Sequence, residues 1–254
     1  MPNTGSIQTR VAIITGAGRG IGEGCARVFA SAGYTVVIAE KNLELGLKLE
    51  IELQHDGYQA KFIETDVTLE SSINNLISQV ISSYGQIDVL INNAGRNKRT
   101  PLLEMSQSDW DLGILLNLSS VYWVCRAAMP HLIQTHGTII NVSSLVGLQG
   151  QPEAVVYAAA KGGVIALTKT LALDFAPQGV RVNCICPGDI WTPQYNEWLT
   201  EQEDGKAVLE SISARLPVGR LGTTQETARA VLFLAENGFA NGVILTLDGG
   251  KSLG

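Results

Sequence analysis

Seven short β-branched runs, VAIIT, TVVIA, AKFIE, IDVLIN, TIINV, VRVNCI and GVILTL, recur along the chain, each parted from the next by a segment long enough for a helix. Such alternation predicts right-handed β-α-β units, because parallel neighbours need a crossover connection. The runs are apolar at nearly every position rather than at alternate ones, which predicts burial on both faces. The expected architecture is therefore α/β, a doubly wound, seven-stranded parallel sheet with helices on both faces. No Pro/Gly/Ser-rich linker, repeat or low-complexity tract divides the 254 residues, so one domain over 1–254 is expected.

Composition bounds the partners. A hydrophobic content of 45% is ample for a core, and a net charge of -6 without runs of like charge offers no basic footprint, so no nucleic-acid partner is expected. The polar start MPNTGSIQTR leads straight into a strand and lacks the apolar core of a signal peptide. No window approaches eighteen uncharged apolar residues, so no membrane span is expected. Cys184 and Cys186, in the strand VRVNCICPG, are expected on opposite faces and so unable to hold a metal together. His55, His131 and His136 show no ligand spacing, and no metal site is expected. Buried free thiols, here including Cys25 and Cys125, fit a reducing cytoplasm, the expected compartment.

In a doubly wound sheet, ligands sit beyond the carboxyl ends of the strands. The first such segment is TGAGRGIGEG, where Gly16, Gly18, Gly20 and Gly22 follow a strand and open the helix IGEGCARVFASAG. That arrangement lets backbone approach a ligand and presents free helical N–H groups to a phosphate. The pattern is TGxxxGIG rather than G-x-G-x-x-G, yet strand, turn and helix stand where a dinucleotide site needs them. The second strand ends in Glu40, whose carboxylate can accept hydrogen bonds from both ribose hydroxyls of an adenosine, which favours NAD. Arg19 and Lys41 could instead welcome the 2'-phosphate of NADP, and an ordinary surface charge is the structural alternative for Glu40. After the third strand, Asp66 and Val67 could meet the adenine edge. The fourth ends in NNAG, residues 92 to 95, whose glycine admits close approach and whose Asn92 and Asn93 could equally be satisfied turn residues.

The stretch VVYAAAKGG, residues 155 to 163, sets Tyr157 and Lys161 four apart on a run of alanines, one above the other on a helical face. A free phenol, with a pKa near 10, is a poor base at neutral pH. A lysine together with a cationic nicotinamide is expected to favour the phenolate, which can then take a proton from an alcohol as hydride leaves, or return one. Upstream, TIINV ends in Ser143 and Ser144, where a hydroxyl could bind the substrate oxygen and stabilise developing charge. Asn117 stands in the apolar helix GILLNLSSVYWVC. A buried amide needs partners, and either a structural hydrogen bond or a water held for a proton relay would meet that need.

TGAGRGIG, NNAG, Asn117, Ser144, YAAAK and PGDIWTP stand in the order and spacing of the short-chain dehydrogenase/reductase family, which the chain resembles over nearly its whole length. The resemblance implies a Rossmann-type fold, with Tyr157 as general acid/base, Lys161 lowering its pKa and holding the nicotinamide ribose, Ser144 orienting the substrate, and Asn117 anchoring a relay water. It further implies a cofactor held by Gly16, Arg19, Gly20, Ile21, Gly22, Glu40, Asp66, Val67, Asn93, Ala94 and Gly95. Pro187 and Gly188 would line it, and Ile190 and Thr192 would touch the nicotinamide carboxamide.

Within the family, SSLVGLQGQ with AVVY, and GVRVNCICPGDIWTP, look like the type-14 17β-hydroxysteroid dehydrogenases, whereas TPQYNEWL and LPVGRLGTTQE look like bacterial L-fucose dehydrogenases. The same likeness implies that Arg96, Asn97, Gln151 and Trp191 line the substrate pocket. A lid is expected at about 189–215, in which Trp191, Tyr195 and Trp198 alternate with Gln194, Asn196 and Glu197. Aromatic faces stack on sugars while amides and carboxylates bind hydroxyls, or the aromatics simply pack the lid shut. The expected substrate is a secondary alcohol of a sugar such as L-fucose, the alternatives being a 17β-hydroxysteroid and a 3-oxoacyl-acyl-carrier-protein, for which Arg96, Lys98 and Arg99 would form a basic rim. An NAD(P)-binding sensor or scaffold is the non-enzymatic alternative, but it need not keep hydroxyl, phenol, ammonium and amide together. The helices SDWDLGILLNLSSVYWVCRAAMPHLI and VVYAAAKGGVIALTKTLALDFA are apolar on more faces than a sheet covers, which fits the family's fourfold assembly and implies a homotetramer.

Overall fold

Residues 9–253 are described by a computed structural model of the protein. Nine strands occur among them: β1 (Val11–Thr15), β2 (Thr35–Glu40), β3 (Ala60–Glu64), β4 (Val89–Asn92), β5 (Thr138–Val142), β6 (Arg181–Pro187), β7 (Ile190–Trp191), β8 (Gly222–Thr223) and β9 (Ile244–Leu247). The seven expected runs form one parallel sheet in the order β3-β2-β1-β4-β5-β6-β9. The order reverses between β1 and β4, where Ile13 pairs with Val37 on one side and Leu90 on the other. Connections leaving these two strands pass to opposite faces and open a crevice at their carboxyl ends. The fold is a single Rossmann-type domain.

The helices are α1 (Gly20–Ser31), α2 (Leu43–His55), α3 (Glu70–Tyr84), α4 (Gln107–Ile114), α5 (Ser120–Thr135), α6 (Val146–Gln149), α7 (Val155–Phe175), α8 (Pro193–Thr200), α9 (Gly205–Ala214) and α10 (Thr224–Glu236). Strand side chains alternate between two cores. Ala12, Ile14, Val36 and Ile38 pack on α1, α2 and α10, whereas Val11, Ile13, Val37 and Ala39 join the side chains of α3, α5 and α7. Side-chain caps close the starts of α2, α4, α8, α9 and α10, through Asn42, Ser106, Thr192, Asp204 and Thr223. At α1 the capping position is Arg19 and no side chain accepts from the first turn, so its free N–H groups face the crevice.

Three expectations change in the folded chain. Cys184 and Cys186 share one face of β6, with sulfurs 4.0 Å apart beside Ile165, because residues two apart in a strand point the same way. The helices Gln107–Thr135 and Val155–Gln178 are long and apolar enough, by length and composition, to cross a membrane. Part of their apolar content lies in the core, through residues such as Val124, Leu132, Val164 and Ala172. The parallel pair β7 and β8 is an addition, too short to be signalled by periodicity, and β7 leads into α8. The stretch 1–8, which the signal-peptide reading concerned, lies outside the described residues.

A chain of buried polar groups ties the sheet to α7. Asn92 Nδ2 donates to Asn141 Oδ1 (2.9 Å), Asn141 Nδ2 donates to Thr168 Oγ1 (3.0 Å), and Thr168 Oγ1 donates to the Val164 carbonyl (2.8 Å). Removing its centre leaves buried groups bare, so Asn141→Ala should lower unfolding free energy by about 1–3 kcal/mol in urea titration, with the m-value unchanged. A loss below about 0.5 kcal/mol would show that water replaces the amide without cost.

Candidate active site

The crevice is built by two loops held face to face. Gly16 has a φ of +63°, and a Cβ on it would lie 2.9 Å from the Ala94 Cα, while one on Gly22 would meet the Gly16 carbonyl at 2.2 Å. Only glycine tolerates this approach. Asn93 Nδ2 donates to the carbonyls of Thr15 and Gly16 (3.0 Å each), and the N–H groups of Asn93 and Ala94 donate to Thr15 Oγ1 (3.0 and 3.1 Å). The Asn93 side chain thus joins the two loops. Glu40 is fixed at the end of β2, its two oxygens accepting from the Gly18 N–H (3.0 Å) and the Asn42 N–H (2.9 Å). Uncapped helix, bare glycine loop and fixed carboxylate fit a dinucleotide.

Other predicted cofactor residues are already engaged. Asp66 accepts from the Thr68 N–H (2.9 Å) and hydroxyl (2.6 Å) and pairs with Lys41 (2.6 Å). Burial alone would raise its carboxyl, but Lys41 and Thr68 outweigh it and hold the group below the usual carboxylate range. Val67 is buried in the core, so only its backbone can meet a ligand. Ile21 packs partly buried against the core on the α1 side. Arg19 pairs with Glu197 of α8 (2.8 Å). The Pro187 carbonyl accepts from the Leu145 N–H (2.9 Å), Gly188 N–H donates to Leu247 (2.9 Å), and Ile190 is buried. A Cβ on Gly20 would come within 3.6 Å of Thr192, which sets that residue against the glycine loop.

Helix α7 carries Tyr157 and Lys161 one turn apart, as expected. Lys161 is buried, its Nζ donating to the Val142 carbonyl (2.8 Å) and lying 5.6 Å from the centroid of the Tyr157 ring. A Cβ on Gly95 would lie 2.7 Å from Asn117 Oδ1 and 3.4 Å from Lys161 Nζ, so the NNAG loop, Asn117 and the lysine meet at one point. Ser143 donates to the Lys161 carbonyl (2.8 Å) and anchors α7. Ser144 Oγ accepts from the Val146 N–H (3.2 Å). The expected continuous helix around Asn117 is interrupted by a π-helical turn, Leu115–Ser119. There Oδ1 accepts from the Arg96 N–H (2.9 Å), and Nδ2 donates to the carbonyls of Arg96 (3.2 Å) and Gly113 (3.0 Å), a structural role that holds the loop after β4.

Burial moves the two central groups toward their neutral forms. It pushes Tyr157 up to about 12, with Ser144 acting the other way, and pushes Lys161 down to about 8, opposed by Cys184 and Cys186. Lys161 Nζ turns to the Val142 carbonyl and lies off the Tyr157 ring rather than against its hydroxyl.

At the far end, Asn97 Nδ2 donates to Gln151 Oε1 (3.1 Å) and Thr100 N–H donates to the Glu153 carbonyl (2.7 Å). Arg99 lies over the Trp198 ring (5.3 Å), and the Arg96 side chain is exposed. The three aromatics split: Tyr195 meets Trp198 edge-on at 5.5 Å and both pack on Ile212, Leu216 and Leu221, whereas Trp191, 6.3 Å from Tyr195, remains 45% exposed. Thr15, Asn141 and Thr168 escaped the sequence reading, although polar residues inside otherwise apolar runs were their signal.

A dinucleotide cradle beside a hydroxyl, a phenol and a buried ammonium defines an oxidoreductase acting on alcohols or carbonyls with a nicotinamide cofactor. The family model described as enoyl-(acyl carrier protein) reductase matches residues 16–252. The L-fucose dehydrogenase of Oryctolagus cuniculus is 43% identical over 247 residues, covering 96% of this chain and 86% of that protein. The 3-oxoacyl-acyl-carrier-protein reductase of Thermotoga maritima is 38% identical over 252 residues, covering 96% and 98%. The solved structure of ElxO with NADP bound aligns with a TM-score of 0.88 at 32% identity, over 97% of this chain and all of that one, 100%. The chain belongs to the short-chain dehydrogenase/reductase family.

With its folded pKa raised from 10.0 to about 12, Tyr157 contributes stability that is fully present below about pH 10 and lost as the pH rises toward 12. Difference ultraviolet titration of cofactor-free wild type against Tyr157→Phe should show no phenolate from this residue below about pH 10. Ionisation near neutrality would mean that Lys161 overrides burial.

Proposed function

We propose that the protein oxidises a secondary alcohol of a sugar such as L-fucose, using NAD. The observation that carries this reading is the likeness to the L-fucose dehydrogenase of Oryctolagus cuniculus over nearly the whole chain. The N-terminus of α1 with the backbone of Gly16, Arg19, Gly20 and Gly22 would hold the pyrophosphate, Glu40 the adenosine ribose, and Ala94, Gly95, Ile190 and Thr192 the nicotinamide end. When bound, the oxidised dinucleotide supplies the hydride acceptor and a positive ring that opposes the burial penalty on the Tyr157 phenolate. Ser144 orients the alcohol oxygen by hydrogen bonding. Tyr157 Oη, once ionised, takes the proton from the hydroxyl oxygen as hydride leaves the carbon that bears that oxygen. Lys161, charged at neutral pH, supplies the cation beneath the phenol and reaches the ribose, and Asn117 keeps the loop after β4 in place. Residues 189–215 act as the lid.

The choice of NAD is supported by the paired state of the two competing cations. Arg19 is tied to Glu197 and Lys41 to Asp66, while Glu40 is held toward the glycine loop and would repel a 2'-phosphate. The 38% likeness to a 3-oxoacyl-acyl-carrier-protein reductase favours a second reading. Its basic rim is weakened here, since Lys98 pairs with Asp109 (2.6 Å) and Arg99 covers Trp198. We further propose a cytoplasmic homotetramer with no membrane or nucleic-acid partner, assembled through α4, α5, α7 and β9; the exposed Leu112, Tyr122 and Leu173 support it.

Initial rates for a panel of aldoses beside estradiol, each with NAD and NADP, should rank L-fucose with NAD first by kcat/KM. Estradiol leading with every sugar inert would overturn the substrate, and equal rates with the two cofactors would overturn the preference. Tyr157→Phe should fold and bind NAD yet lose about 10²- to 10⁴-fold in kcat, and near-normal turnover would remove the tyrosine from the mechanism. Light scattering that gives a stable monomer at micromolar concentration would overturn the assembly.

A further inference from the structure

An ion pair crosses from the glycine loop to the lid: Arg19 Nη1 donates to Glu197 Oε1 on α8 (2.8 Å). The loop also runs against the carboxylate that ends β2, since Gly18 N–H donates to Glu40 Oε2 (3.0 Å) and a Cβ on Gly18 would lie 2.8 Å from the Glu40 Cγ. Arg19 follows directly, its Cα about 3.8 Å from that of Gly18. An arginine side chain starting there is long enough to set its guanidinium beside Glu40, where the 2'-phosphate of NADP would sit. It is turned to α8 instead. Glu23, the acidic residue in the first turn of α1, is paired with Arg27, and both oxygens of Glu40 accept backbone N–H groups. Glu197 is held in position by its helix, because Tyr195, Trp198 and Leu199 pack α8 in place and Thr192, which caps it, lies against Gly20.

We propose that Glu197, a lid residue, is a determinant of cofactor choice: by holding Arg19 it denies the 2'-phosphate of NADP a counter-ion and leaves the Glu40 carboxylate to face the ribose. This rests on the NAD reading above and assigns part of that preference to the lid. The physical basis is competition. NADP needs the guanidinium free, so its apparent affinity falls by the fraction of molecules in which Arg19 is already paired. Both side chains are about half-exposed and such a pair is weak, so the reduction amounts to about two- to fivefold. NAD carries no charge at the 2' position and takes the backbone N–H groups of the loop for its pyrophosphate, so the pairing of Arg19 does not touch it. Lys41, the other cation near the site, is held by Asp66 and is independent of Glu197.

Isothermal titration calorimetry of NAD and of NADP on the full chain tests this without turnover. Glu197→Ala removes both the charge and the acceptor and suits an exposed helical position. It should tighten NADP about two- to fivefold and leave NAD affinity unchanged. In an Arg19→Ala background the same substitution should alter neither affinity, because the pair no longer exists to be broken. Three results overturn the role of Glu197 while wild type still prefers NAD: unchanged NADP affinity in Glu197→Ala, equal tightening of both cofactors, or the same gain in the absence of Arg19. A wild type that binds the two cofactors equally overturns the preference on which the proposal rests.

Discussion

The join between the glycine loop after β1 and the NNAG loop after β4 is the contact on which the rest of the site depends. Chain topology drives these loops apart, since the connections that follow them cover opposite faces of the sheet. Thr15 and Asn93 pull them together with four hydrogen bonds between 3.0 and 3.1 Å, and the absence of side chains at Gly16 and Gly22 allows the approach. Once Ala94 is fixed against Gly16, Gly95 must pass beside Asn117 and Lys161, whose amide and ammonium then have places already set. The cradle for the cofactor and the position of the reacting groups therefore follow from one tertiary contact.

A second constraint is dielectric. Lys161 and Tyr157 are carried on one helix into an environment that disfavours both of their charged forms, so one pKa falls to about 8 and the other rises to about 12. The protein by itself holds a protonated phenol above a lysine whose Nζ is occupied by the Val142 carbonyl. A cation brought beside the phenol would act against burial and favour the phenolate.

Much of this was legible from the residues. The seven runs and the pairing of Tyr157 with Lys161 are local consequences of β-branched apolar stretches and of helical periodicity, and these survive folding because nothing tertiary opposes them. Cys184 and Cys186 share a face of β6, against the expectation of opposite faces, because alternate strand residues point the same way. The roles of Asn93 and Asn117 were not legible, because an amide next to a glycine or inside an apolar helix looks the same whether it faces a ligand or a carbonyl. Each turned out to serve backbone groups of another loop.

By itself, then, the sequence determined the layers of the fold, the strand ends at which chemistry takes place, and the types of group available there. These depend on short-range periodicity and on covalent order. Only the tertiary structure decided how those groups are used: that Arg19 reaches Glu197 and Lys41 reaches Asp66, that Lys161 turns to Val142, that Tyr195 and Trp198 are packed while Trp191 is not. Burial and hydrogen-bond partners come from segments far apart in the chain, and a side chain's chemistry is set by what surrounds it rather than by what precedes it.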